Sequence, residues 1–360
     1  MVCINTPEEY ISEPGAINKV AEYVSRAVEQ NKRKVLIIWS KTPRALLNTV
    51  IAEQLFSAGI EFEEVVFEDF PTEKKARECA EAAIHYQAAV IIGLGGGRVM
   101  DVTKAAGTFS KLPVITIPTV ASTCAAWAAV SIIYTDKGDF DQFLFNKKSA
   151  RFIIADTNII ANAPVRYLKS GIVDTMAKWY EPVYRETCSF TMNISQYTAK
   201  LAFDYLNAHG VEVIENIQNG IIDENTVQTI DCIIYLAGNI GSFVGKEAFS
   251  GKAHPFYHSS RRFRSTYVRY HGEIVAFALV AQGIYEGRSQ EEIDERLDIF
   301  EKFDNTYTLE ELGLSGKEQI ITIAERIQSQ FEGSEVNNLE TVRLVEAFEK
   351  VDRLVKDRRT

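Results

Sequence analysis

Three of the chain's five histidines, His254, His258 and His271, fall within one eighteen-residue stretch. His254 and His258 share Ala253-His254-Pro255-Phe256-Tyr257-His258, and His271 opens His271-Gly272-Glu273. A carboxylate that could join them is Asp174, in Gly171-Ile172-Val173-Asp174-Thr175-Met176-Ala177-Lys178-Trp179-Tyr180-Glu181. Two imidazoles and one carboxylate are a common catalytic zinc set, with one position left open for substrate. Each histidine alone also reads as a hydrogen-bonded core or surface residue. Asp174 also reads as the i,i+4 ion-pair partner of Lys178. Spacing by itself does not choose.

A second kind of chemistry is offered by Gly93-Leu94-Gly95-Gly96-Gly97-Arg98-Val99-Met100-Asp101. Glycines let a backbone approach a phosphate closely, and a helix starting there adds free N–H groups and the positive end of its dipole. The run is not G-x-G-x-x-G, and it also reads as a plain strand-to-helix turn. Pro118-Thr119-Val120-Ala121-Ser122-Thr123-Cys124 sets small residues and hydroxyls where ligands of open α/β sheets bind.

The elements that must position these groups are legible as alternation. Strands are expected at Lys34–Trp39, Glu64–Phe67, Ala88–Gly93, Pro113–Pro118 and Arg151–Asp156, because continuous apolar runs suit strands buried on both faces. Helices are expected between them, at Pro43–Ala58, Thr72–Gln87 and Arg98–Phe109. Such alternation implies a parallel sheet with helices on both faces and right-handed crossovers. A hairpin is expected over Ala129–Thr135 and Phe140–Phe145. From Pro164 the apolar spacing is helical, with helices at Glu224–Gly241 and Leu339–Lys356. The expected division is an α/β domain over residues 1–162 and an all-α domain over 163–360, as suits a 360-residue chain.

Composition narrows the function. The net charge of −10 opposes binding to nucleic acid or to anionic membranes. No apolar run reaches eighteen residues, so no membrane span is expected. The first fifteen residues lack the apolar and basic regions of a secretory signal. Five scattered cysteines, Cys3, Cys79, Cys124, Cys188 and Cys232, with no C-x-x-C, argue against a disulfide framework or a thiolate zinc cage. A cytoplasmic protein acting on a small molecule is the expectation.

Taken together, GLGGGRVMDVTKAAG, IPTVASTCAAWAAVSIIYTDKGDF, NAPVRYLKSGIVDTMAKWYE and YHGEIVAFALVAQ resemble the iron-containing (group III) alcohol dehydrogenase superfamily, within its glycerol dehydrogenase-like branch. The resemblance runs with gaps from about Lys34 to the last helices. It implies a dehydroquinate synthase-like fold: a Rossmann-like domain, then a helical one, with the active site in the cleft between. It implies NAD(P) on the glycine turn at Gly95, Gly96, Gly97, Arg98, Val99, Met100 and Asp101, with further contacts at Thr119, Ser122, Ala128, Val130 and Tyr134. It implies one divalent metal ion, zinc first and Fe2+ or Mn2+ next, held by Asp174, His254 and His271, and a homo-oligomer. His258 matches a second histidine near the family's site, though at i+4 from His254 rather than i+3.

Two departures from the branch bear on substrate and cofactor. Cys124 stands where glycerol dehydrogenases carry an aspartate that holds a polyol. STCAAW and GIVDTMAKWYE are instead similar to hydroxycarboxylate dehydrogenases, which reduce short 2-oxo acids. Ser40 and Lys41 stand where an acid suited to the ribose 2′-hydroxyl is expected, so NADP should be accepted. Lys178, one turn from Asp174, is the expected anchor for a substrate carboxylate, beside Cys124. Proton transfer is left to solvent, His258 or the ribose hydroxyls. The competing readings are a glycerol or polyol dehydrogenase, a dehydroquinate synthase-like cyclase and a non-catalytic nucleotide binder.

Overall fold

The computed structural model describes residues 4–28, 33–181, 189–244, 251–330 and 340–360. Eight strands precede the helical part: β1 (Glu9–Glu13), β2 (Lys34–Trp39), β3 (Glu61–Val66), β4 (Val90–Gly95), β5 (Val114–Pro118), β6 (Val130–Tyr134), β7 (Phe140–Phe145) and β8 (Phe152–Asp156). Six of them form one parallel sheet in the order β1-β8-β5-β4-β2-β3, while β6 and β7 pair antiparallel as a separate hairpin.

The central strands are buried on both faces, which is why they read as unbroken apolar runs. In β2, Val35, Ile37 and Trp39 join one core with α1 (Val20–Ala27) and α2 (Lys41–Ser57). Leu36 and Ile38 point the other way, into a core shared with α3 (Glu73–His85) and α4 (Gly97–Ser110). Thr72 caps α3 by accepting a hydrogen bond from the Lys75 N–H.

Among the described residues every element from Thr157 onward is helical: α5 (Thr157–Ala161), α6 (Val165–Tyr180), α7 (Phe190–Gln218), α8 (Glu224–Asp231), α9 (Ala237–Val244), α10 (Ala253–Ser260), α11 (His271–Tyr285), α12 (Gln290–Glu301), α13 (Lys317–Gln330) and α14 (Thr341–Asp357). Every residue from Gly272 to Gly283 is buried, so α11 is the central helix of this part. The expected order, α/β first and helices after, is what the chain adopts.

Three details differ from the expectation. β1 was not anticipated, because Glu-Tyr-Ile-Ser-Glu is half-buried throughout and lies at the sheet edge, pairing only with β8. β4 runs two residues further than expected, so Leu94 and Gly95 are strand residues as well as Gly93, and the turn itself is Gly96. A Cβ at Gly93 would lie 2.5 Å from Thr103 Oγ1, so glycine there lets α4 pack against the strand. The helix expected at Glu224–Gly241 is broken by a π turn at Cys232–Leu236, beyond which Trp127 packs onto Gly238. Leu339, the expected start of the last helix, lies outside the described residues, as do Cys3 and Cys188.

Candidate active site

Three helices bring the chemistry together. Asp174 projects from α6, His254 from the first turn of α10 and His271 from the first residue of α11. Two glycines permit that approach. A Cβ at Gly272 would lie 2.0 Å from the Ser170 carbonyl oxygen, and one at Gly171 would lie 2.2 Å from that of Ala121. The Gly272 N–H donates to Ser170 Oγ at 2.9 Å. Helices α6 and α11 and the segment after β5 are thus in backbone contact beside the site.

Asp174 Oδ1 lies 3.2 Å from His254 Nε2 and 3.0 Å from His271 Nε2. One ligating atom from each of the three residues lies within 4.8 Å of the others. The set fits a divalent ion with three protein ligands. Glu181 supplies the outer support: its carboxylate accepts the His254 N–H at 2.9 Å and lies 2.5 Å from His254 Nδ1. A proton held on Nδ1 leaves the Nε2 lone pair facing Asp174.

Burial raises a carboxyl, but Lys178, His271 and His254 outweigh it and hold Asp174 well below the usual range. Burial opposes charge on His254, yet Glu181 and Asp174 outweigh it and raise the imidazole to about 9. The acidic character that would hold these protons is the same that would hold a cation.

Lys178 Nζ stands 3.8 Å from Asp174 Oδ2, the carboxylate oxygen turned away from the two imidazoles. Burial works against its charge, and Asp174, Cys124 and Glu181 more than compensate, leaving its pKa above the ordinary value. Cys124 is half-buried, and burial pushes its thiol up despite Lys178. Asp174, His254, His271, Lys178, Cys124 and His258 all line one cavity of about 1800 Å³, room enough for a dinucleotide and a small substrate.

His258 is one turn beyond His254, with the Phe140 and Phe143 rings 4.5 and 5.4 Å from its own. Burial first, then His254 and His271, push its pKa well below the ordinary value, and its Nδ1 has no hydrogen-bond partner among the described residues.

The glycine turn forms the other end of the cavity. Gly96 precedes α4 with no side-chain cap, which leaves the leading N–H groups of the helix to a ligand. A Cβ at Gly96 would meet Val120 at 3.3 Å, so the turn sits close against the segment after β5. Ser40, Gly96, Gly97, Arg98, Val99, Asp101, Thr119, Ser122, Ala128, Val130 and Tyr134 all line the cavity.

Lys41, Gly95 and Met100, expected beside them, do not line it. Lys41 is exposed at the start of α2. Gly95 ends β4, with Ser40 Oγ and Val99 packed so near that a Cβ would come within 2.9 Å of each. Met100 is 1 % exposed and packs into the core, about 200° around α4 from Arg98. Asp101 reaches the cavity, but its carboxylate is engaged by Lys104 at 3.2 Å, and burial pushes it up to about 6. Lys104 Nζ also donates to the carbonyls of Ala128 and Val130, tying α4 to the hairpin.

Sequence reasoning missed Glu181 as the support of His254. The available signal was its spacing of seven from Asp174, two turns along α6. It also missed Glu68 and Asp69, which follow β3 and line the cavity.

The iron-containing alcohol dehydrogenase family matches residues 7–157. The glycerol dehydrogenase of Escherichia coli O6:H1 is 30 % identical over 302 residues, which is 81 % of this chain and 79 % of the relative. The chain belongs to the iron-containing alcohol dehydrogenase family. This family member is therefore an oxidoreductase of the alcohol, glycerol and hydroxycarboxylate dehydrogenase kind. Hydroxycarboxylate dehydrogenase A of Escherichia coli K12 is 26 % identical over 310 residues, 85 % of this chain and 84 % of the relative. In fold it is similar to a probable glycerol dehydrogenase from Sinorhizobium meliloti, with a TM-score of 0.85, 19 % identity and 99 % of each chain covered. Among the described residues no helix is long and apolar enough to cross a membrane.

Proposed function

We propose that this protein is a metal-dependent, NAD(P)-linked dehydrogenase that interconverts small 2-oxo acids and 2-hydroxy acids. The observation that carries this reading is the ammonium of Lys178, its side chain 11 % exposed, lining the cavity beside the three candidate metal ligands. A cation sheltered from water there favours a substrate with a carboxylate over a neutral polyol. Asp174, His254 and His271 would hold the metal ion, which when bound supplies a Lewis acid for the substrate oxygen. Gly96, Gly97 and Arg98 would hold the dinucleotide phosphates, and Ser40 would stand at the ribose. Lys178 would orient the substrate carboxylate, with Cys124 packed beside it. A thiol is a poor acceptor for polyol hydroxyls, which counts against glycerol. NADP use rests on Ser40, since Lys41 lies off the cavity and Glu68 and Asp69 bring negative charge to it. A cytoplasmic homo-oligomer belongs to the same reading.

Glycerol or polyol oxidation is the second reading, favoured by relatives that bear the name glycerol dehydrogenase. The deciding experiment is a panel of 2-oxo acids, aldehydes and polyols with both cofactors, with and without added zinc, run beside His271→Ala. The expected outcome is zinc-dependent reduction of 2-oxo acids with kcat/KM above that for any polyol, and a folded, inactive variant. Glycerol turnover above that of every 2-oxo acid, or full activity of His271→Ala after exhaustive chelation, overturns the proposal.

A further inference from the structure

The cleft contains a buried arginine that the reaction above leaves without a task. Arg261, just beyond α10, is 9 % exposed and lines the same cavity as the candidate metal ligands. Its Nη1 donates to the Thr266 carbonyl at 2.8 Å and, at 3.4 Å, to that of Arg269. The guanidinium carbon lies 4.5 Å from the Tyr267 ring centre and 5.5 Å from that of Tyr257. Its Nε is buried without a hydrogen-bond partner among the described residues. Among the described residues no carboxylate forms an ion pair with it, whereas Arg44 and Arg166 each pair with one. Arg296 is also buried without an ion pair, but it does not line the cavity. A guanidinium stays charged at any working pH, so one withdrawn from water and open to a cleft is matched to an anion.

Its position says which anion. The Tyr257 ring that flanks Arg261 lies 4.1 Å from the His271 ring, so arginine and metal ligand both pack against one aromatic group. In the other direction Tyr267 and Phe70 separate Arg261 from Arg98, the guanidinium at the glycine turn. Arg98 thus stands at the dinucleotide end of this aromatic wall, and Arg261 at the end where substrate reacts. We propose that Arg261 is an anion subsite for the part of the substrate remote from the reacting carbonyl. The preferred substrate is then a 2-oxo acid with a second carboxylate, gripped by Lys178 near the carbonyl and by Arg261 at its far end. This rests on the 2-oxo acid reading given above.

The test compares 2-oxoglutarate with 2-oxopentanoate, which lacks the far carboxylate, in the zinc-loaded wild type, Arg261→Gln and Arg261→Lys. A charge-assisted contact corresponds to about tenfold or more in affinity. Wild type should therefore show a KM at least about tenfold lower for the dicarboxylate. Arg261→Gln should erase that advantage, Arg261→Lys should restore part of it, and the KM values for 2-oxopentanoate and for cofactor should stay unchanged. Equal handling of both acids by wild type, equal loss on both in Arg261→Gln, or a raised cofactor KM overturns the assignment. Should Arg261→Gln not fold, inhibition of wild type decides: glutarate must inhibit at a lower concentration than pentanoate, and equal inhibition overturns the subsite. If neither acid is reduced while glycerol is oxidised, it is the 2-oxo acid reading that fails, and the subsite falls with it.

Discussion

Replacing Glu181 with Gln should weaken metal binding without unfolding the protein. Glu181 is 4 % exposed and accepts two hydrogen bonds from His254, one from the backbone N–H and one at the ring Nδ1. Glutamine is of the same size, but its single oxygen can serve only one of the two donors; with that oxygen on the backbone N–H, the amide NH2 faces Nδ1. What is lost is the charge-assisted hydrogen bond at Nδ1. Such a bond contributes roughly 1.5–3 kcal/mol. That corresponds to roughly ten- to 150-fold in zinc affinity, comparable to the loss of about 10–100-fold typical of groups that orient a metal-bound histidine. Zinc affinity is read by competition against a chromophoric chelator at fixed pH, with circular dichroism of both metal-free proteins as the control for folding. Glu181→Ala should lose more, because two buried donors are then left without acceptors. If Glu181→Gln binds zinc within twofold of wild type while His254→Ala binds far more weakly, Glu181 does not set the imidazole and the reasoning fails.

Other outcomes are expected from the same geometry. Lys178→Met should raise KM for 2-oxo acids by about tenfold or more while leaving a neutral aldehyde little changed; steady-state kinetics on both substrates check this, and a parallel loss on both would contradict it. Ser40→Asp should shift preference toward NAD by roughly tenfold, equivalent to about 1–2 kcal/mol, and the absence of any NADPH use by wild type would remove its basis. Glu9, at the sheet edge, is held below the ordinary carboxylate range by Arg26 first and Tyr23 next. Its folded value is lowered, so its stabilisation is present above the ordinary range and lost as pH falls through the folded value. Glu9→Gln should therefore melt below wild type at pH 7, and the gap should narrow as pH falls below the ordinary carboxylate range; a gap that widens in acid would contradict the assignment.

The sheet was legible because its central strands are buried on both faces and so read as unbroken apolar runs, Lys34–Trp39 and Phe152–Asp156 among them. β1 was not, because Glu9 and Glu13 give it the polar texture of a loop, and its partner β8 is remote in sequence. For the site, the sequence offered Asp174, His254 and His271 as a group, and the folded chain places them within ligating distance of one another. Rotation along a helix was what a list of consecutive residues could not convey. It turns Met100 into the core while Arg98 stays at the cleft. Burial was equally hidden: Asp101 and Lys104 are an i,i+3 pair legible from spacing, but only the folded chain buries them together beneath the hairpin, with Lys104 donating to the Ala128 and Val130 carbonyls. Arg261 left no mark in the sequence, because its distinction, burial with no carboxylate paired to it among the described residues, is set by the fold.

The hairpin of β6 and β7 pairs only with itself, yet it lends Phe140 and Phe143 to the wall of the cavity. Gly171 and Gly272, by contrast, stand where no side chain fits. Selection for a new substrate therefore meets two very unequal materials. The backbone junction that assembles the metal ligands is closed to innovation, since any side chain added there must break it apart. The hairpin can exchange one aromatic for another without disturbing the register of the six-stranded sheet. Changes in appetite and changes in stability can thus accumulate separately, and a descendant of this enzyme can acquire a differently shaped substrate while keeping its catalytic frame intact.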